Sequence, residues 1–353
     1  MTITRLLCLS LLVTCLPAGA ESVPCEPAAG MQVVCGLAAP EDLVPAPNGR
    51  DIIFGQMAAP GGLFLLDRRD HSVHALLGKA STPDDGEWWG ADNCRTPLEE
   101  IHAHGLDLRQ REDGRWQLLV VNHHLRESVE FYELQDAQAD RPLVLWRGCA
   151  EAPPEGNLND VAGLADGSLL VTHMADRRSP FWTVVKSVLG VDTGFVYHWS
   201  PEQGFRALPG TEGEHPNGIL LAPDEHSFYL NVYFGNQLRE HALPDGQLLR
   251  SLPVEKPDNS SWSPRGTLLV ASHHASLWQL FRSLEQRHDQ PSLLPFSVRE
   301  VDVQGWESRV LLEHEGAPMG AGTVALERGD SLYIGSYVGD RMVYLRSPAA
   351  ASR

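Results

Sequence analysis

Positive charge is in short supply in this sequence: 28 lysines and arginines face 46 aspartates and glutamates, for a formal net charge of -18. Such a chain is a poor partner for nucleic acid or an anionic membrane and a good host for cations, although most of its carboxylates need only solvate the surface. Long apolar stretches are equally scarce. Beyond the first 20 residues no segment is long and apolar enough to cross a bilayer. Helical apolar periodicity is missing from all but one segment. No Gly-x-Ser-x-Gly elbow and no phosphate-cradling loop occurs, which argues against a serine nucleophile and against a nucleotide. No cysteine pair has metal-ligand spacing, which argues against zinc.

What the sequence has is turns. Thirty-two glycines, 25 prolines and 42% hydrophobic residues describe a globular chain of many short strands, not a disordered one. Its 353 residues accommodate two ordinary domains or one large all-β domain. Residues 1–20 read as a cleavable secretory signal, with Arg5 at its start, an apolar core from Leu6 to Leu16, and Ala18-Gly19-Ala20 as the cleavage site. Thr14 disfavours a lipid anchor through Cys15. The mature chain, cut after Ala20, is expected to be secreted or periplasmic and keeps Cys25, Cys35, Cys94 and Cys149. Three pairings are open in an oxidising compartment. The expected one joins Cys25 to Cys35, neighbours in sequence, and Cys94 to Cys149, which flank one repeat.

That repeat is strand, turn, strand, gap, strand, and six versions follow one another. The first runs from Glu41-Asp42 through the Asn48-Gly49 turn and Ile52–Phe54 to Leu63–Leu66. The second runs from His102-Ala-His104-Gly105-Leu106 through Asp113-Gly114 and Leu118–Val121 to Val129–Leu134. The third opens with Asn157-Leu158-Asn159-Asp160 and continues through an Asp-Gly turn and Leu169–Thr172 to Phe195–Trp199. The fourth opens with His215-Pro216-Asn217-Gly218-Ile219, followed by Phe228–Val232 and Gln237–Ala242. The fifth opens with Pro257-Asp258-Asn259, followed by Leu268–Ala271 and Leu277–Leu280. The sixth opens with Gly322-Thr323-Val324, followed by Leu332–Gly335 and Arg341–Leu345.

Units spaced roughly 40–60 residues apart have the repeat length of propeller blades, which pack in a ring because none can bury both faces alone. The expected fold is therefore an all-β, six-bladed β-propeller, one domain over residues 25–348. The strand around Met31–Cys35 is expected to complete the last blade and remove a free edge. One segment breaks the pattern. Ser179 caps a helix that Pro180 opens and Gly190 ends, with Phe181, Trp182, Val185, Val188 and Leu189 as an apolar stripe. It either packs on the blade tops or forms a wall over the site. Residues 282–305 read as a polar inter-blade loop.

In a propeller the residues just before each blade's first strand face one another across the axis. Here these are Glu41, His104, Asn159, Asn217, Asp258-Asn259 and Thr323. Any one Asn or Asp among them suits turn chemistry. Together, Glu41, Asn159, Asn217, Asp258 and Asn259 form a hard-oxygen donor set of the kind calcium takes. Asp42 and Asp160, with a backbone carbonyl near Leu106, could hold a second, deeper calcium. His104 and His123 lie in one blade and could relay a proton near neutral pH, while His273 borders the same cavity.

These stretches, with Leu119-Val-Val-Asn-His123, Ser128-Val-Glu130 and Gly322-Thr323-Val324-Ala325, resemble the paraoxonase/arylesterase family of calcium-dependent six-bladed propellers. They run in family order along nearly the whole mature chain. The resemblance implies that Glu41, Asn159, Asn217, Asp258 and Asn259 bind a catalytic calcium, and that Asp42, Asp160 and the Leu106 carbonyl bind a structural one. It implies a His104–His123 dyad, and activity on lactones, aryl esters or phosphotriesters. It also implies helices that shape the site and touch lipid, a role the Phe181–Leu189 segment matches. Two features depart from it. Tyr344-Leu345-Arg346 lacks the cysteine of the family's closing disulfide, and the leader here looks cleavable where the family's can stay as an anchor.

The expectation is thus an exported, calcium-dependent hydrolase of lactones and/or aryl esters, acting on small molecules and not on nucleic acid. Calcium polarises the substrate carbonyl and His104, assisted by His123, activates the attacking water. A gluconolactonase-like sugar lactonase and a non-catalytic propeller that keeps calcium for stability stay open. A strictosidine-synthase-like lyase fits less well, because two-substrate condensation does not need this calcium set.

Overall fold

The computed structural model describes residues 22–77, 86–284 and 289–349. The proposed signal sequence lies outside them. Six four-stranded antiparallel sheets form the blades of a propeller. Blade 1 spans residues 43–75, blade 2 103–151, blade 3 158–207, blade 4 216–253, blade 5 257–314 and blade 6 322–346. The first strand of every blade contacts the first strands of the blades on either side, so the six close into a ring.

The second strand of each blade is an almost unbroken apolar run, because a blade is covered on both faces. In blade 1, Ile53 packs toward blade 2 while Ile52 and Phe54 pack toward blade 6. The cores accordingly lie between blades. One joins Leu119 and Phe131 to Val171 and Trp199, the next joins Leu170 and Val196 to Phe228 and Leu230, and the pattern continues around the ring. Blade hairpins turn on Asp-Gly pairs, where Gly114 (φ 84°) and Gly167 (φ 92°) take the left-handed backbone that side chains disfavour.

The ring closes as expected from Met31–Cys35. Gln32–Cys35 pairs antiparallel with Arg341–Arg346 as the outermost strand of blade 6. The Cys25–Cys35 disulfide ties off this strand. Arg341 reinforces it: its buried guanidinium donates to the carbonyls of Pro24 (2.7 Å) and Val23 (3.0 Å). The second disulfide joins Cys94 to Cys149, as expected.

Helix α1 (Pro180–Val188) forms with Ser179 as its N-terminal flank and Pro180 in its first turn. Its orientation differs from the simple amphipathic reading. Thr183 and Ser187 are the buried residues, held by hydrogen bonds to the Ser179 carbonyl (3.0 Å) and to Thr193 Oγ1 (2.7 Å). Phe181 and Trp182 are each 63% exposed.

Blade 5 corrects two expectations. Leu277–Leu280 is not a strand but the start of helix α2 (Leu277–Leu284), and the third strand of the blade is Phe296–Asp302, inside the segment read as loop. The sequence signal for α2 was a capping box: Gln279 Oε1 accepts from the Ser276 backbone N–H (2.9 Å) and from its hydroxyl (2.8 Å). Leucines at helical spacing follow the box.

The Cys94–Cys149 bridge closes a loop across 55 residues and ties the outer strand of blade 2 to the chain between blades 1 and 2. Replacing both cysteines by serine should lower unfolding stability by about 2–4 kcal/mol in urea titration. A loss below about 0.5 kcal/mol would show that the bridge constrains nothing the sheets do not already hold.

Candidate functional site

Five of the six blades carry the same irregularity. Their first strands lose register with the second between Ala103 and Leu106, Leu158 and Val161, Pro216 and Ile219, Pro257 and Ser260, and Gly322 and Ala325. Each gap leaves two consecutive residues outside the ladder, as a β-bulge does, and re-aims their side chains. The pairs are His104-Gly105, Asn159-Asp160, Asn217-Gly218, Asp258-Asn259 and Thr323-Val324; in blade 1, Glu41-Asp42 stands at the equivalent place just before Leu43. The first member of every pair lines one cavity of about 310 Å³ on the axis.

The two aspartates among the second members reach to the neighbouring blade. Asp42 Oδ2 accepts from the Leu106 amide (2.7 Å), and Asp160 Oδ2 from the Ile219 amide (2.8 Å). Asp107, two residues beyond the His104-Gly105 pair, does the same with the Gly163 amide (2.7 Å). Where the second member is glycine, the space belongs to the adjacent acid or amide. A Cβ on Gly105 would stand 2.5 Å from Asp160 Oδ1, and one on Gly218 2.8 Å from Asn259 Oδ1.

The cavity floor has more oxygen than hydrogen-bond donors. Glu41 Oε2, Asn159 Oδ1, Asn217 Oδ1 and Asn259 Oδ1 are buried and have no hydrogen-bond partner. Unpartnered buried acceptors are costly, so four of them from four blades at one place call for a ligand. Burial, with Asp42, Asp258 and Asp160 close by, pushes the Glu41 carboxyl well above its usual range. Burial and Asp42 raise Asp258 and Asp160 likewise, and burial pushes Asp42 up to about 7. A cation placed among these groups would favour their ionised forms. Oxygen donors of two kinds, carboxylate and amide, suit a hard ion such as calcium. Among the described residues no three His, Cys, Asp or Glu side chains form a ready metal cluster, because amides are much of this donor set.

The histidines stand at the edge of this floor. His104 Nδ1 is 2.7 Å from His123 Nε2, and His123 Nδ1 is 2.9 Å from Glu127 Oε2. His104 Nε2 faces Asn159 Nδ2 at 3.3 Å and Glu41 Oε1 at 3.8 Å. Burial, then His123 and His215, hold His104 well below the ordinary histidine range, so it is neutral and able to accept a proton.

The structure brings Glu41, His104, Asn159, Asn217, Asp258, His273 and Thr323 together around the cavity, with Asn259 one step deeper, donating to Glu41 Oε1 (2.8 Å). Phe181 and Trp182 do not line it; from α1 that place is taken by Val184. Asp42 and Asp160 use both carboxylate oxygens on backbone amides, the Leu106 amide among them. Sequence reasoning missed His215, Tyr233 and Met174. Only His215 carried a signal, opening its repeat as His104 does. Tyr233 donates to or accepts from His273 Nδ1 (2.9 Å), and Asn159 Nδ2 contacts Met174 Sδ (3.2 Å).

A family model described as Arylesterase matches residues 59–345. A search of curated proteins finds no match. Solved structures resemble the chain in fold. A luciferin-regenerating enzyme superposes with TM-score 0.52 at 13% identity, covering 89% of this chain and 94% of its own. A gluconolactonase from Xanthomonas campestris does so with TM-score 0.52 at 16% identity, covering 90% and 89%. A calcium-binding protein, regucalcin, from Agrobacterium tumefaciens strain C58 gives TM-score 0.50 at 15% identity, covering 90% and 93%. At these identities the likeness concerns the propeller, not the chemistry.

The raised carboxyls carry a stability prediction. In chelator the folded state binds protons that the unfolded state has released, so stability is present at low pH and is lost as pH rises through the folded values. For Asp42 that window runs from 3.8 to about 7. The melting temperature in chelator should therefore fall across this range, and saturating calcium should abolish the fall. A profile that is flat without calcium would mean that these acids are not held near one another.

Proposed function

Since the chain belongs to the arylesterase family, we propose that it is an exported, calcium-dependent hydrolase of lactones and aryl esters. The observation that carries this is the row of four unpartnered oxygens, from four blades, beside the lone pair of a neutral histidine. Glu41, Asn159, Asn217, Asp258 and Asn259 would hold the ion. Bound there, calcium would polarise a carbonyl and offset the negative charge that gathers on its oxygen.

The protein's own groups do the rest. His104 Nε2 takes a proton from water placed against it, and the hydroxide so formed attacks the carbonyl carbon. Burial weakens His104 as a base, and sharing its other ring proton with His123 offsets part of that cost when it takes up the water's proton. The bond from the carbonyl carbon to the alkoxy oxygen then breaks, opening a lactone ring or freeing the alcohol of an ester, and the proton held by His104 passes to the departing oxygen. Asp42 and Asp160, already held by backbone amides, serve the ring as staples between blades; a second, structural calcium would have to share their oxygens.

The wall of the cavity favours this over the sugar-lactone alternative. Met57, Met174, Val184, Phe234, Leu277 and Leu280 line it. These side chains offer a hydroxylated sugar few partners, and each hydroxyl desolvated without one costs about 1–3 kcal/mol. They suit an aliphatic or aromatic ester. Export accords with two disulfides, which persist in oxidising compartments. No described helix is long and apolar enough to cross a membrane.

Hydrolysis of aliphatic lactones, sugar lactones and aryl esters, each with calcium and with chelator, tests the reading. Turnover should need calcium and should favour the apolar substrates. His104→Gln should fold, keep its calcium and lose about 10²–10⁴-fold in turnover. Thermal stabilisation by calcium with no cleavage of any substrate would leave a binding propeller instead.

A further inference from the structure

Glu127 belongs to no motif that the sequence singled out, yet both its carboxylate oxygens are committed. Its side chain is 8% exposed. Oε2 lies 2.9 Å from His123 Nδ1, and Oε1 accepts the backbone N–H of Leu158 at 2.6 Å. Leu158 belongs to the next blade and immediately precedes Asn159. One carboxylate therefore touches both the histidine relay and the strand that carries a proposed calcium ligand.

The four groups from Asn159 to Glu127 form a chain whose direction is set at both ends. At one end Asn159 turns its Nδ2 toward His104 Nε2 and leaves Oδ1 without a partner. An amide nitrogen only donates, so His104 Nε2 carries the lone pair and His104 Nδ1 carries the proton. That proton points at His123 Nε2, which must accept it. His123 then carries its own proton on Nδ1, facing Glu127 Oε2. A carboxylate accepts, so the far end agrees with the near one. Were either end reversed, two protons or two lone pairs would meet in a buried place.

We propose that Glu127 is the positioning residue of this relay. It selects the Nδ1–H tautomer of His123, and through it keeps His104 Nε2 open as the base, while its second oxygen holds the relay in register with Asn159. This rests on the His104 reading of the site. During turnover the water proton adds to His104 Nε2, the His104 Nδ1 proton can pass to His123 Nε2, and the His123 Nδ1 proton stays hydrogen-bonded to Glu127. No further acceptor is needed.

Glu127→Gln is the informative change because it keeps the shape and alters one atom. The Leu158 N–H is a fixed donor, so the new amide must offer it oxygen and present its NH₂ to His123 Nδ1. His123 is then driven to the Nε2–H tautomer, His104 Nδ1 must accept, and the proton forced onto His104 Nε2 both blocks the base and meets the Asn159 NH₂. On calcium-saturated protein, with an aryl ester as substrate, kcat should fall about 10- to 100-fold with KM little changed. Long-range ¹⁵N NMR of the imidazoles should show His123 changing from the Nδ1–H to the Nε2–H form. Unchanged kcat in this variant, beside a His104→Gln variant that is inactive, would overturn the proposal and leave the site reading standing. Full turnover by His104→Gln would instead remove the site reading on which the proposal rests. The wild-type spectrum is a test that needs no variant: an Nε2–H tautomer at either His104 or His123 contradicts the assignment.

Discussion

Everything in this site depends on a break in a hydrogen-bond ladder. In five blades two residues at the head of the first strand stand outside regular pairing, and one of the two is thereby turned to the axis, while in blade 1 Glu41-Asp42 take the equivalent place just before the strand. A regular strand would send consecutive side chains to opposite faces, into the cores on either side of the blade. The bulge instead offers one side chain to the cavity and one to the neighbouring blade. Function and ring assembly are thus served by adjacent residues. Glu41, Asn159 and Asp258 face the cavity, while Asp42 and Asp160 hold the next blade by its backbone.

This division explains an arrangement that looks unfavourable by itself. Several carboxyls crowd a small, dry space, and burial with mutual repulsion drives them toward the protonated form. Each neighbouring amide oxygen also lacks a donor. Such a cluster opposes folding by itself, and a bound cation of the kind proposed here would offset that cost. The same features would suit a hard cation: amide oxygens, with two carboxylates from blades 1 and 5. Histidine enters only at the rim, where His104 is neutral because it is buried and close to other histidines.

The apolar part of the cavity comes from elsewhere. Two helices inserted between second and third strands, in blades 3 and 5, bring Val184, Leu277 and Leu280 over the axis. The ring supplies polar chemistry at its narrow centre, and the insertions supply a hydrophobic wall above it. Helix α1 turns Phe181 and Trp182 outward because Thr183 and Ser187 find hydrogen bonds on the inside. Most of the apolar stripe counted on a helical wheel is therefore exposed, and the wall over the site comes from Val184. The pattern records which residues share a face, not which side the protein is on.

The sequence by itself determined the blades, their order, the closing strand, both disulfides and the set of oxygen-bearing residues at the blade mouths. These are legible because they rest on local chemistry: apolar runs of strand length, Asp-Gly turns, and a polar pair repeated at one point of each unit. Only the tertiary structure decided which oxygens go without a donor, since that depends on residues as far apart as Asn259 and Glu41, separated by 218 positions. It alone placed Glu127 in line with His123 and Leu158, because no periodicity distinguishes that glutamate from its acidic neighbours. Helix α2 lay between the two cases: its capping box was written in Ser276 and Gln279, but the leucines after it could equally have begun a strand. Local patterns choose elements, whereas the partner of each polar atom is chosen by whatever the closed ring brings beside it.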